Sequence, residues 1–187
     1  MRWVFVPLAL ALVAPAAALT PVADFDVTRY NGTWYEVAAV PGFFQNKCAR
    51  DTQSEYVPGD DGALIVRSHC MQAEGATYAS EGRARALDPA VPSVLKVTYV
   101  YQLGIWWYPF GHNQIVIGSG RNYEWLVIGD PSLRYGRILA RAPALPGEAL
   151  RTAAAVLAAE GYDLCTFVAK PQAGGRQQEA RLCDEVK

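Results

Sequence analysis

The fold depends most on one stretch near the start of the chain, Tyr30-Asn-Gly-Thr-Trp-Tyr-Glu-Val-Ala-Ala-Val-Pro41. Turn-forming residues stand near both of its ends, Asn31-Gly32 and Pro41, and the residues between them suit a β-strand. Trp34 is a large apolar side chain at the start of this strand, where a β-barrel needs its base closed. The stretch therefore predicts the first strand of a barrel, and later segments must supply the other strands.

The first 18 residues have the features of a secretory signal peptide. Arg2 precedes a wholly apolar run at 4–14, and Pro15 is followed by small alanines that offer a cleavage site. The run is short for a membrane span, although an uncleaved N-terminal anchor is the alternative interpretation. No cysteine lies near the cleavage region, as a lipid anchor would require, so we expect a soluble exported product, periplasmic or secreted.

The residues after position 18 form a series of short segments in which apolar and polar residues alternate. The segments lie at 49–56, 63–70, 77–86, 94–101, 114–119, 123–128 and 136–141, and turn residues separate them. The pattern changes once, to a helix from Pro146 through 159, and a short strand is predicted at 165–169. We predict an all-β fold, an eight-stranded antiparallel up-and-down β-barrel with one C-terminal α-helix packed outside. A two-sheet sandwich is the alternative.

Length, charge and cysteine content limit the number of domains, the classes of partner and the use of the cysteines. One domain is predicted at 19–171, with a tail at 172–187. The net charge of -1 gives no reason to expect nucleic acid as a partner. Four cysteines without a CxxC pair favour two disulfides and no metal site in an exported chain. The hairpin between 49 and 70 brings Cys48 near Cys70, which leaves Cys165 to tether the tail through Cys183.

Glu36 has the same strand parity as Trp34 and is predicted to point into the barrel. A carboxylate in that position is costly unless it is paired or protonated. Arg141 and Lys47 are the candidate partners. A structural carboxylate is favoured over a catalytic acid, because ion-pair networks also perturb acids.

Three motifs in order resemble the lipocalin family of the calycin superfamily, closest to its bacterial and apolipoprotein D-like branch. They are Phe25-Asp-Val-Thr-Arg-Tyr-Asn-Gly-Thr-Trp-Tyr-Glu-Val37, Asn122-Tyr123 with the apolar strand 126–129, and Tyr135-Gly-Arg-Ile-Leu-Ala-Arg-Ala-Pro143. The resemblance implies that Trp34 closes the barrel floor after Gly32, that Arg141 lies across its indole, and that Tyr123 packs nearby. These roles are structural, and the residues are not expected to touch a ligand.

The chain departs from that branch at two positions. Gly120 stands three residues before Tyr123, where the branch often has an aspartate, and Arg137 stands two residues after Tyr135, where it often has an aromatic residue. We assign Arg137 to the outer face of its strand. Eukaryotic relatives also tie a cysteine at the position of Cys48 to a later part of the chain, which implies the alternative pairings Cys48–Cys183 and Cys70–Cys165.

The predicted barrel has room for a ligand. Small residues at 80, 82, 84 and 86 share the inner face of one strand, opposite a bulkier inner face on the next. The loop at 104–111 carries four aromatic residues and is predicted to cover the pocket, with a hydrophobic plug as the alternative. The predicted ligand-binding residues are Tyr56, Leu64, Val66, Tyr78, Ala84, Leu95, Val97, Tyr99, Tyr101, Trp106, Trp107, Phe110, Ile115 and Trp125.

The predicted function is to bind, store or transport a small hydrophobic ligand, a fatty acid or a lysophospholipid, for envelope maintenance. Apolar walls suit an acyl chain, tyrosine hydroxyls suit its polar head, and no cofactor is expected. Haem, bilin or a carotenoid is a weaker choice, because His69 is predicted to face outward and His112 lies in the aromatic loop. The alternatives are an isomerase or de-epoxidase, and an interaction protein whose aromatic loop contacts a membrane or forms a homodimer. No nucleophile–base set, metal cluster or phosphate loop supports an enzyme.

Overall fold

The computed structural model describes residues 18–108 and 112–187. Nearly all of the predicted signal peptide, at 1–17, lies outside the described residues, and so does Phe110. Within the described part of the chain, no helix is long and apolar enough to cross a membrane.

Eight antiparallel strands close into a barrel, which confirms the predicted fold. Neighbours along the chain pair with each other, and the last barrel strand pairs with the first, for example Leu139 with Glu36. The barrel strands are β1 (Gly32–Ala39), β2 (Arg50–Pro58), β3 (Leu64–Met71), β4 (Thr77–Ala86), β5 (Val94–Thr98), β8 (His112–Ser119), β9 (Trp125–Gly129) and β10 (Gly136–Ala140). Between β5 and β8 lies a small hairpin of β6 (Tyr101–Gln102) and β7 (Ile105–Trp106).

The helix α1 (Gly147–Ala159) packs on the outside of the barrel, as predicted. Ala153, Ala154 and Leu157 are buried against the wall. Gly118 on β8 allows the close approach, because a Cβ there would lie 2.9 Å from Val156 of the helix. The chain then continues through β11 (Val168–Ala169), β12 (Ala180–Arg181) and the short helix α2 (Leu182–Glu185).

The predicted strand at 165–169 is only partly present. Leu164–Thr166 forms a 3-10 turn, since the Asp163 carboxylate accepts a hydrogen bond from the Cys165 backbone amide. Only Val168–Ala169 is strand, and it pairs with β1 on one side and β12 on the other.

Two hydrophobic clusters give β9 and β10 an unusual environment. One cluster fills the barrel interior and includes Leu126, Ile128 and Leu139. The other lies between the barrel wall and α1 and includes Val127 and Ile138. Every residue of β9 and β10 is therefore buried, whichever face it occupies.

The disulfides join Cys48 to Cys70 and Cys165 to Cys183, which is the local pairing. The alternative pairings implied by eukaryotic relatives are therefore wrong for this chain. The first bond ties the loop after β1 to the end of β3. The second ties the tail to the segment after α1, so that both bonds lie outside the barrel's floor.

Candidate functional site

The floor of the barrel is built around one buried indole. Trp34 has no exposed surface, and its Nε1 donates a hydrogen bond to the Tyr30 carbonyl at 2.7 Å. The Arg141 guanidinium lies 3.7 Å from the centre of the indole ring. Its nitrogens also donate to three backbone carbonyls, those of Arg29, Asn31 and Thr33. This arginine holds the floor through contacts that leave its charge well solvated by protein dipoles.

The other two motif residues lie at the same end. Gly32 has a φ of +95°, which favours glycine, and a Cβ there would come within a tight 3.2 Å of Arg141 Nη1. Tyr123 packs its ring against Phe25, and its hydroxyl accepts a hydrogen bond from the Asp26 backbone amide at 2.7 Å. The structure thus brings Gly32, Trp34, Tyr123 and Arg141 together, away from the cavity described next.

A cavity of about 250 Å³ lies toward the opposite end of the barrel. It is smaller than the roughly 300–1,000 Å³ of most small-molecule sites, so it suits one slender chain whose end can extend through the mouth. It is lined by Gly42, Phe43, Phe44, Gln45, Ser68, Tyr78, Ser80, Val97, Tyr99, Gln114, Tyr135 and Arg137.

The mouth of the cavity is bordered by the loop after β1, which sequence reasoning missed. Phe44 packs against Tyr78, with ring centres 5.3 Å apart, whereas Phe43 is 78% exposed. Lys170 donates to two backbone carbonyls of this loop, and the Cys48–Cys70 disulfide ends it. A sequence signal existed: two adjacent phenylalanines between a Pro-Gly turn and a cysteine.

The small inner face of β4 makes room for a tyrosine ring. A Cβ on Gly82 would lie 2.8 Å from the Tyr99 ring and 2.6 Å from the Thr98 carbonyl oxygen, so only glycine fits. Almost half of the Tyr99 surface is open, and Tyr99 lines the cavity. Burial of its hydroxyl raises the Tyr99 pKa, although Arg137 acts in the opposite direction. The hydroxyl therefore stays protonated and available as a donor.

Arg137 lies inside the barrel, and its assignment to the outer face was wrong. Only 4% of the residue is exposed. Its Nη2 donates to the Tyr56 hydroxyl at 3.1 Å, and its guanidinium lies 5.6 Å from the Tyr135 ring centre. Burial opposes its charge, but the surrounding tyrosine oxygens hold its pKa above the ordinary value, so it remains charged.

Glu36 is the acidic group nearest to this guanidinium. It is buried, as predicted from parity, and accepts a hydrogen bond from Gln45 at 3.2 Å. Its Oε2 lies 4.0 Å from Arg137, so the partner is neither Arg141 nor Lys47. Lys47 instead lies over the rings of two mouth aromatics, Phe43 and Tyr78. Burial raises the Glu36 pKa, partly offset by Arg137 and Gln45.

Some of the predicted ligand-binding residues lie at the cavity. Tyr78, Val97 and Tyr99 line it, and Tyr56 reaches it through Arg137. A further group belongs to the interior cluster without lining this cavity: Leu64, Val66, Ala84 and Leu95.

Ile115 and Trp125 lie on the other side of the wall. Both belong to the cluster beneath α1, so neither faces the cavity. Their placement on the inner face was wrong because β8 and β9 are covered by the helix, and apolar residues therefore occur on their outer face as well.

The described part of the aromatic loop packs on the outer face of β4 rather than across the mouth. Trp106 lies over Arg83 at 4.6 Å, and Tyr108 lies over Arg85 at 3.9 Å. The Trp107 carbonyl accepts a hydrogen bond from Thr98, an outward residue. The covering role predicted for this loop is therefore wrong for Trp106 and Trp107.

Tyr101 is outside the cavity for a related reason. The strand predicted at 94–101 ends at Thr98, and the chain turns back through Leu103 and Gly104, both with positive φ. A two-residue turn of this kind makes the β6–β7 hairpin. Tyr101 then pairs with Trp106 and is 56% exposed.

Comparison with known proteins agrees with this architecture. A family model described as a lipocalin-like domain matches residues 25–172. This chain belongs to the lipocalin family. This lipocalin is 28% identical over 170 residues to the outer membrane lipoprotein Blc of Escherichia coli (strain K12), covering 91% of this chain and 92% of that protein. It is 30% identical over 152 residues to temperature-induced lipocalin-1 of Arabidopsis thaliana, covering 81% of each.

A solved structure gives the same fold. Insecticyanin from the tobacco hornworm Manduca sexta aligns with a TM-score of 0.66 at 17% identity, and the alignment covers 89% of this chain and 96% of that one. This likeness concerns the barrel and its helix. The family predicted from the three motifs is confirmed.

Proposed function

We propose that this lipocalin is an exported binding protein that carries one single-chain lipid, a fatty acid or a lysophospholipid. The observation that carries the proposal is the narrow cavity with its aromatic mouth and largely apolar lining. Each methylene removed from water there contributes about 0.8 kcal/mol to binding. A bulky ring system would need more space than this cavity offers.

Export and an envelope role are part of the same proposal. Two disulfides suit an oxidising compartment, in agreement with the predicted signal peptide. The bacterial relative is named an outer membrane lipoprotein, and we extend its envelope setting to this chain. Binding rather than catalysis is favoured because Glu36, a buried acid near the cavity, already accepts a hydrogen bond from Gln45.

The cavity is tested by filling it. Ser80 and Ala79 are neighbours on β4, but Ser80 lines the cavity and Ala79 is exposed on the other face. We expect Ser80→Phe to abolish binding of a fluorescent fatty acid and Ala79→Phe to leave it unchanged. Native mass spectrometry of the purified wild-type protein should also show a retained lipid. Equal binding by both variants would place the ligand elsewhere.

A contact between the mouth and a membrane surface is favoured by one exposed residue. Phe43 lies at the cavity mouth, almost fully exposed, with the Lys47 ammonium over its ring. An aromatic side chain beside a cation suits the interface of an anionic bilayer. We expect Phe43→Ser to reduce co-sedimentation with phosphatidylglycerol vesicles. Leu103→Ser, at a still more exposed apolar residue of the β6–β7 hairpin, is the control and should not.

A further inference from the structure

The guanidinium of Arg137 is buried at the cavity with few partners. Nη2 has the Tyr56 hydroxyl at 3.1 Å, whereas Glu36 at 4.0 Å is beyond hydrogen-bond distance. Nε has no hydrogen-bond partner among residues 18–108 and 112–187. A guanidinium carries five N–H donors, so most of its donor capacity is not used by the groups around it.

Such a charge is costly to bury unless something pairs with it. An incompletely paired buried ion loses its hydration without regaining equivalent bonds. Glu36 offsets this only in part, because it is beyond hydrogen-bond distance and its own burial raises its pKa. A second anion at the guanidinium would supply the direct, charge-assisted hydrogen bonds that Glu36 does not make.

The shape of the site selects the kind of anion. A planar carboxylate can accept two parallel hydrogen bonds from a guanidinium fork, including its Nε edge. The Tyr99 and Tyr135 hydroxyls, whose pKa values burial raises, remain protonated beside it. A glycerophosphate head is larger and carries polar groups that would lose water inside a cavity of about 250 Å³.

We propose that Arg137 binds the carboxylate of a free fatty acid, so that the ligand lies with its head inside the barrel and its chain toward Phe43 and Phe44. The proposal rests on the proposed function and narrows its ligand class from single-chain lipids to anionic carboxylates. The aromatic mouth then contacts methylenes, and the charged group is the part most deeply enclosed.

The test compares ligands with the same chain and different heads. Dodecanoate, 1-dodecanol and lauroyl lysophosphatidylcholine are titrated into the purified, lipid-extracted protein by calorimetry. Wild-type protein should bind dodecanoate about 10- to 100-fold more tightly than dodecanol, as a charge-assisted contact implies. Arg137→Gln should remove that difference by weakening dodecanoate alone. Arg67→Gln, on the exposed outer face of β3, is the matched control and should preserve it.

Folding of the variants is controlled separately. Because Arg137→Gln leaves Glu36 buried beside a neutral amide, the double variant Glu36→Gln/Arg137→Gln is measured as well, with circular dichroism on both. The double variant should also bind the two ligands equally. Equal binding of dodecanoate and dodecanol by wild-type protein, or a preference that survives either variant, overturns the carboxylate assignment and leaves the carrier function standing. Binding of neither ligand by wild-type protein overturns both. Tighter binding of the lysophospholipid than of dodecanoate overturns the head-inward orientation.

Discussion

Arg141 and Arg137 belong to the same strand region and point to the same side of it, yet their surroundings differ in one decisive respect. Arg141 lies against the Trp34 indole and donates to three backbone carbonyls. Arg137 has one hydroxyl, a carboxylate at 4.0 Å and an Nε without a partner in the described chain. The protein therefore supplies hydrogen-bond acceptors for Arg141 at the floor, whereas Arg137 at the cavity keeps N–H donors without an acceptor.

This difference separates two ways in which a barrel uses buried charge. A satisfied guanidinium stabilises the fold and has little to offer a ligand, because its donors are already committed. An unsatisfied one lowers stability and gains by binding. Substitutions at the two ends of the barrel should therefore affect different properties. Those at the floor alter the stability of the fold, and those at the cavity alter the affinity for the ligand.

The largest expected effect is at the floor. Trp34→Ala should lower the free energy of unfolding by about 3–5 kcal/mol, since a fully buried aromatic group is replaced by a cavity. Trp106→Ala, on the outer wall, should cost about 1 kcal/mol or less, mainly its contact with Arg83. Urea unfolding followed by circular dichroism measures both. Equal losses would mean that Trp34 does not anchor the floor.

The two disulfides should also differ in whether they affect ligand affinity as well as stability. Replacing either pair with alanines should lower the free energy of unfolding by about 2–4 kcal/mol. Only the Cys48→Ala/Cys70→Ala variant should also weaken fatty-acid binding, because that bond holds the mouth loop. The Cys165→Ala/Cys183→Ala variant serves as its counterpart. Unfolding curves and ligand titrations of both variants make the comparison, and similar loss of affinity in both would contradict it.

A smaller effect distinguishes the arginines directly. Arg141→Gln should lower the free energy of unfolding by about 1–3 kcal/mol, because the three carbonyls and the indole lose a charged donor. Its dissociation constant for dodecanoate should equal that of the wild type. The comparison fails if Arg141→Gln weakens binding as much as Arg137→Gln does.

The smallest effect concerns the pH dependence of stability at Glu36. Burial raises its pKa in the folded protein, so the folded state holds the proton to higher pH than the unfolded chain. The stabilisation from this proton is present below the ordinary pKa of 4.5 and is lost as pH rises through the folded pKa. Glu36→Gln does not titrate. Its stability relative to the wild type should therefore increase between about pH 4 and pH 8 in urea unfolding, whereas a pH-independent difference would contradict the raised pKa.

Much of the fold could be predicted because turns and alternation are local signals. The strand at Thr77–Ala86 has the predicted bounds, and α1 begins just after Pro146. Trp34 could be placed because it stands at the start of the first strand, and the resemblance to the lipocalin family supplied the floor roles of Tyr123 and Arg141. Local patterns of this kind do not depend on what covers the outside of the barrel.

The cavity was harder to predict, and Arg137 shows why. A charged residue in an alternating strand is normally assigned to the solvent side, but β10 has no solvent side, since α1 and the segment after it cover the outer face. Alternation then no longer distinguishes inside from outside. The same ambiguity put Trp125 in the wrong place. For the aromatic loop, alternation on β4 places Arg83 and Arg85 outward, but it gives no sign of the β6–β7 hairpin that brings the loop onto them.

The tail has a consequence for the barrel wall. Pairing of β1 with β2 stops at Tyr35 and Gln53. Beyond that pair, the side-chain amide of Gln172 donates hydrogen bonds to the backbone carbonyls of Glu36 and Thr52. The Asp51 amide similarly donates to the Pro171 carbonyl. The gap between β1 and β2 is thus bridged by hydrogen bonds to residues of the C-terminal tail. Hydrogen exchange of the backbone amides should begin in this bridged region, next to the cavity. Detachment of the tail would open the gap between β1 and β2 before any pair of strands separates.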